Sequence, residues 1–254
     1  MLNKCKVCGG FSIEIGKLDT NKCCIDRLGV RFLPISENLI PYLACPNCGF
    51  IYTTYMDNWG PDDFKTKIYN EEYELLNPPI PGRTNVPLHE RPSYLKGIHI
   101  GQFFQESKKY LKILDFGAGG NPGPTGQALI DSGFSVDSIE PYRADTSDTL
   151  EKYSLIIAIE VLEHCHDLEA VKSFMQAHLE DDGLIWIETL LHPFPTPANI
   201  LSSWYIAPRD GHISIHTFTS LTKLFNAAGL NVVSTINGTF AFKNLPRFLN
   251  KIFV

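Results

Sequence analysis

The chain has 254 residues, enough for one large domain or for an ordinary domain with a small appendage, and its 44% hydrophobic and 20% charged residues are those of a globular protein. A net charge of -6 supplies no general attraction to polyanions, so nucleic-acid binding would need a local basic face. No apolar run approaches the ~20 residues of a membrane span and no leader pattern opens the chain, so the expected setting is soluble and cytoplasmic.

The N-terminal segment carries Cys5-Lys6-Val7-Cys8-Gly9 and then Cys45-Pro46-Asn47-Cys48-Gly49. Each pair has two intervening residues and a following glycine, the pattern of a knuckle whose backbone N–H groups fold toward two thiolates. Two knuckles supply four sulfurs. Such a tetrahedral set suits a structural zinc, with no position left open for catalysis, and would hold together a module of residues 1–56 that is too small to fold unaided. The odd total of seven cysteines argues against a disulfide framework, and Cys23 and Cys24 stand in the insert as competing ligands. Residues 57–104 read as a linker and helical cap, with an aromatic, acidic patch over 68–73, a proline-rich turn over 77–87 and a helix over 93–107.

The next domain is expected over 105–254, and from Leu111 its pattern alternates between strands and helices. Ile113 and Leu114 form a first strand, 125–132 a helix ended by Gly133, and 135–139 a second strand running into Glu140. Residues 153–159 are almost wholly apolar, as a strand buried on both faces should be. A helix capped by Asp167 shows Leu168, Val171 and Met175 on one face and is expected to end before Gly183. A strand over 184–187, a helix over 219–228 ended by Gly229, and closing strands over 231–235 and 239–242 complete an α/β doubly wound sheet.

Ligands of such sheets sit outside the carboxyl ends of the strands, where this chain places Asp115, Gly117, Gly119 and Gly120, then Glu140, Glu160 and Glu188. Glu140 lies where a carboxylate takes both hydroxyls of an adenosine ribose. The dinucleotide fingerprint Gly-x-Gly-x-x-Gly, counted from Gly117, fails at Pro122. Asp115, just before the first glycine, would repel a pyrophosphate and suits a cationic sulfonium ligand that carries an ammonium group.

These residues resemble the class I S-adenosylmethionine-dependent methyltransferases, whose fold is Rossmann-like. The resemblance implies that Asp115, Gly117, Ala118, Gly119, Gly120 and Asn121 form the cofactor loop and that Glu140, followed by Pro141, binds the ribose. It implies further that Glu160, Val161 and His164 line the adenine and methionine side. The 210–213 and 218–229 stretches are similar to the family's late His, Phe-Thr and helix-to-glycine region. Two departures stand out. Asn121 replaces the family's third glycine, and the short stretch between Glu140 and Tyr153 implies a reduced third strand, with Asp145 or Asp148 standing in for the adenine-clamping acid. The two knuckles ahead of this domain also look like a subset of methyltransferases that act on nucleotide-linked sugars in polysaccharide and antibiotic pathways.

Methyl transfer to a hydroxyl or carbon acid needs a base, and His212, His216 and Tyr205 are the candidates, with His164 a further one. The implied reaction is O- or C-methylation of a small molecule, a sugar or sugar nucleotide. Two alternatives stay open: an RNA methyltransferase gripping its substrate through the zinc module, and a non-catalytic S-adenosylmethionine-binding protein.

Overall fold

The computed structural model describes residues 3–81, 83, 85–140 and 151–249. In chain order its regular elements are β1 (Asn3–Lys4), β2 (Phe11–Asp19), β3 (Leu39–Ala44), β4 (Ile51–Tyr52), α1 (Pro61–Lys67), α2 (Tyr73–Leu76), α3 (Pro92–Phe103) and β5 (Lys112–Phe116). There follow α4 (Pro124–Asp131), β6 (Ser135–Ile139), β7 (Tyr153–Ile159), α5 (Leu168–His178), β8 (Leu179–Glu188), β9 (Ser214–Ile215), α6 (Phe218–Asn226), β10 (Asn231–Thr235) and β11 (Gly238–Phe242). No helix among the described residues is long and apolar enough to cross a membrane.

The chain divides into two compact units, each built from separated stretches: the first from residues 1–82, 162–170 and 189–224, the second from 83–161, 171–188 and 225–254. These units do not follow the boundaries expected at 56 and 104. The segment after β8, 189–224, belongs with the N-terminal cysteine region because β9 completes that region's sheet.

The second unit is the α/β Rossmann-like part. Its six strands run in the order β10-β11-β8-β7-β5-β6. β6, β5, β7 and β8 are mutually parallel, while β11 is antiparallel to β8 and to β10. Parallel strands covered on both faces need continuous apolar sequence, and β7, whose Leu155, Ile156, Ile157 and Ala158 are fully buried, supplies it at the centre. Trp186 of β8 is the largest fully buried side chain. Its ring meets Phe103 at 5.2 Å, Phe104 at 5.8 Å and Phe240 at 4.9 Å, and its Nε1 donates to Glu188 at 3.0 Å. Glu188 also pairs with Lys96 of α3 at 2.8 Å, so this strand-end acid is committed to the fold. α3 lies close against α4 because Gly97 has no side chain: a Cβ there would stand 2.4 Å from the Thr125 carbonyl oxygen.

Two expected boundaries move. Asp167 caps α5 as expected, accepting the Ala170 N–H at 2.9 Å, but the helix ends at His178 and β8 begins at once. Tyr153 pairs with Leu179, and the next pairing is Leu155 with Leu184, so the intervening residues, Gly183 included, bulge out of the ladder. Gly183 therefore marks a bulge, where the sequence suggests a helix end. Among the described residues the sheet ends at β6; the reduced third strand, Pro141, Asp145 and Asp148 lie outside them.

The first unit has a five-stranded sheet in the order β1-β2-β3-β4-β9, with Ile51 opposite Ile215 and Tyr52 opposite Ser214. Ile40, Tyr42, Ala44, Ile51, Tyr205, Ile206 and Ile215 form its core. Lys22 ties the insert to the 200–206 turn by donating to the carbonyls of Leu201 at 3.1 Å, Ser203 at 2.5 Å and Ile206 at 2.7 Å.

Trp186→Ala is expected to destabilise the second unit by ~3–5 kcal/mol through the cavity it leaves. Urea denaturation followed by far-ultraviolet circular dichroism measures it, and a midpoint equal to that of the unaltered protein contradicts the packing described.

Candidate active site

The cofactor loop grows directly from the parallel register of the second unit. Phe116 of β5 lies opposite Ile139 of β6, and the loop stays attached past the strand end, the N–H groups of Gly117 and Ala118 both donating to the Ile139 carbonyl at 2.8 and 3.3 Å. Glu140, the next residue, is thereby carried to the loop. Its Oε1 accepts the Gly119 N–H.

The glycines have distinct reasons. Gly117 and Gly119 have φ of 75° and 68°, the left-handed region that favours glycine. At Gly117 a Cβ would also strike the Val161 side chain, 2.6 Å away, whereas around Gly119 no atom lies within 4 Å of where a Cβ would be. Gly123 closes the turn: a Cβ there would stand 1.6 Å from the Ala118 carbonyl oxygen. Val161 thus packs under the loop, Gly119 and Asn121 are exposed, and α4 starts at Pro124. Glu160, also exposed, has a left-handed φ of 53°, uncommon for a residue with a side chain, and its N–H donates to the Glu188 carbonyl at 2.8 Å.

Asp115 is 3% exposed and does not face the open side of the loop. A Cβ on Gly126 would meet Asp115 Oδ2 at 2.8 Å and Ser138 Oγ at 3.0 Å, so the carboxyl lies beneath α4 in space that only glycine leaves. Burial, with the nearby Glu140 charge adding to it, raises its pKa to about 7. The expectation of a charge suited to a cationic ligand did not include this burial, because loop spacing does not report which side of a strand end a side chain takes.

In the first unit the four knuckle cysteines come together. Cys5, Cys8, Cys45 and Cys48 offer sulfurs all within 4.8 Å of one another, with Cys5 to Cys48 at 3.7 Å and Cys8 to Cys45 at 3.5 Å. Tetrahedral thiolates about 2.3 Å from a zinc stand about 3.8 Å apart, close to both values. The two knuckles repeat one backbone pattern: Gly9 N–H to the Cys5 carbonyl at 2.9 Å and Gly49 N–H to the Cys45 carbonyl at 2.7 Å, both glycines left-handed. Cys23 and Cys24 are buried and stand outside this group.

The three acid–base candidates also lie in the first unit. His212 Nδ1 donates to the Tyr205 carbonyl at 2.8 Å, and the two rings sit 4.5 Å apart. Burial lowers its pKa to about 4, keeping the imidazole neutral with Nε2 as its lone-pair nitrogen. The Tyr205 hydroxyl accepts the Leu190 N–H at 3.1 Å and meets Thr189 Oγ1 at 3.0 Å. His216 is fully buried against Phe50, and its Nδ1 meets Ser220 Oγ at 3.2 Å. The ring of Trp204 carries the Arg27 guanidinium at 4.4 Å.

His212 and His164 are brought together, their rings 4.7 Å apart and nearly perpendicular, with Glu163 beside them. Glu163, fully buried, has no role in the sequence reading. Its one signal there is its place beside His164 just after an apolar strand. Gly211 completes the arrangement: it is left-handed at φ 82°, and a Cβ on it would stand 3.0 Å from His164 Nδ1.

A family model for a methyltransferase domain matches residues 88–235. No curated protein sequence matches the chain. Similar solved structures include coclaurine N-methyltransferase bound to N-methylheliamine and SAH, at 16% identity and a TM-score of 0.38, covering 60% of this chain and 53% of that one. A putative O-methyltransferase from Nostoc punctiforme shows 16% identity and a TM-score of 0.40, covering 64% of each chain. DesVI from Streptomyces venezuelae shows 12% identity and a TM-score of 0.43, covering 60% of this chain and 92% of that one. The chain spans about half the length of the coclaurine enzyme.

The raised pKa of Asp115 has a definite sign. The folded state holds a proton that the unfolded chain releases near pH 4, so stability falls as pH rises from about 4 to 7, by up to roughly 1.4 kcal/mol per pH unit, and levels off above. Asp115→Asn removes this slope. Thermal melts of both proteins across that range should diverge in favour of the variant as pH rises, and parallel curves contradict the burial.

Proposed function

The chain belongs to the methyltransferase domain family, and on that premise we propose that it is an S-adenosylmethionine-dependent enzyme that methylates a small polar molecule, a sugar or nucleotide-linked sugar. The observation that carries the reading is the carboxylate of Glu140 held on the Gly119 N–H at the carboxyl end of the parallel sheet. When bound, S-adenosylmethionine supplies an electrophilic methyl group on a sulfonium. The residues present suit it. Glu140 offers a carboxylate for a ribose diol, Gly117, Gly119 and Gly120 let a ligand approach the backbone closely, and the loop lacks the third glycine that a dinucleotide pyrophosphate requires. Glu160 and Val161, at the end of β7, complete the proposed cofactor side.

Proton removal from the acceptor is assigned to the buried polar centre of the first unit, in which His212 contributes a neutral imidazole. Tyr205 positions it through its backbone carbonyl, and His216 secures the turn at Thr217 and Ser220. The four cysteines are assigned a structural zinc, which the sulfur spacings support. The acidic balance of the chain favours a small acceptor over RNA.

Addition of S-adenosylmethionine or its demethylated product at about millimolar concentration should raise the melting temperature. Glu140→Ala should weaken both ligands by about ten- to a hundredfold, the loss of a charge-assisted hydrogen bond to the ribose. Absence of any thermal shift sinks the cofactor assignment. Labelled-methyl transfer into a panel of nucleotide sugars, compared with transfer into bulk RNA, tests the acceptor class.

Zinc analysis of the purified protein should lose one equivalent per chain in Cys45→Ser. An unchanged zinc content in that variant contradicts the four-thiolate site.

A further inference from the structure

Glu163, His164 and His212 form a second group of metal-type donors, apart from the four thiolates. Glu163 and His164 end the 3-10 turn Leu162–His164, and His212 returns to them directly after Gly211. One ligand atom from each lies within 4.8 Å of the others. We propose that these three side chains bind a first-row divalent cation of the zinc, iron(II) and manganese(II) kind, with coordination positions open to an oxygen ligand.

Three features of the cluster support this. Donors about 2.1 Å from a first-row ion stand roughly 3–4 Å apart, so the group needs only a small contraction to close on a cation. His212 donates its Nδ1–H to the Tyr205 carbonyl, the kind of outer contact that fixes a ligating imidazole's tautomer, and so keeps its lone pair on Nε2. Gly211, whose Cβ would reach within 3.0 Å of His164 Nδ1, leaves the room the second ring occupies.

The donor set also selects the ion. Two imidazoles and one carboxylate suit zinc, iron(II) and manganese(II), whereas magnesium and calcium prefer all-oxygen shells. Three protein ligands leave open positions, in contrast to the closed four-thiolate site. An oxygen bound there loses its proton far more readily, as water does when its pKa falls to about 7 on zinc. This role in acceptor activation rests on the methyl-transfer reading; the binding of the ion does not. With the ion bound, His212 acts as a ligand in place of the proton acceptor: the cation lowers the pKa of the bound oxygen, and the proton passes to solvent water.

Full-length protein saturated with zinc and passed through gel filtration should retain about two equivalents, counted by plasma mass spectrometry. The near-isosteric Glu163→Gln and His164→Gln variants should each retain about one, and Cys45→Ser should lose the other. Cobalt substitution of the unaltered protein gives a reading that needs no variant: one equivalent shows thiolate-to-metal charge transfer in the near ultraviolet, and a second shows only weak visible bands. A single retained equivalent, a second cobalt that also carries thiolate bands, or two equivalents in folded Glu163→Gln and His164→Gln each overturns the proposal. Because metal is counted without S-adenosylmethionine, failure of the cofactor assignment leaves this result untouched, and failure here leaves the thermal shift untouched.

Discussion

The parallel pairing of β5 with β6 is the constraint on which the cofactor side depends. With Phe116 opposite Ile139, the chain leaving β5 must turn within the space above the end of β6, and the residue after Ile139 must arrive beside that turn. A one-residue slip would send the Glu140 side chain to the other face of the sheet. The register is held by burial on both faces of β5 and β7, so the apolar run at the sheet's centre and the acid on the loop are parts of one arrangement.

The first unit is organised differently. Its sheet is small, and the cysteine knuckles sit where a larger protein would place more core. Residues far along the chain secure them: the Cys48 carbonyl accepts the Thr217 hydroxyl at 2.5 Å, and the Gly49 carbonyl meets His192 Nε2 at 2.8 Å. Gly49 itself must be glycine, since a Cβ would stand 2.6 Å from Thr217 and 2.7 Å from Phe194. The segment that carries Tyr205, His212 and His216 is therefore built into the cysteine module, and the histidine ligands and the thiolates share one scaffold.

Burial sets the electrostatics of both units in opposite senses. It holds Asp115 toward its protonated form, and it holds His164, His212 and His216 toward their neutral forms. A neutral imidazole keeps a lone pair for a metal or a proton, while a buried carboxyl beneath a helix start serves packing first. Arg209 shows the other solution to burying a charge: its guanidinium donates to the Ile68 carbonyl at 3.1 Å and to Asn70 Oδ1 at 3.0 Å.

Much of this architecture is legible in the residues alone. The strand-helix alternation, the glycines and acid at the loop, the failed dinucleotide spacing and the two cysteine pairs all act over a few neighbouring positions, and local sterics and ligand spacing dictate them directly. Tertiary structure decided the rest: that residues 189–224 join the N-terminal module, that Asp115 turns beneath α4, that Gly183 lies in a bulge, and that Glu163 and His164 meet His212 across left-handed Gly211. Each of these depends on which distant backbone fills the space beside a side chain, and sequence spacing carries no record of that.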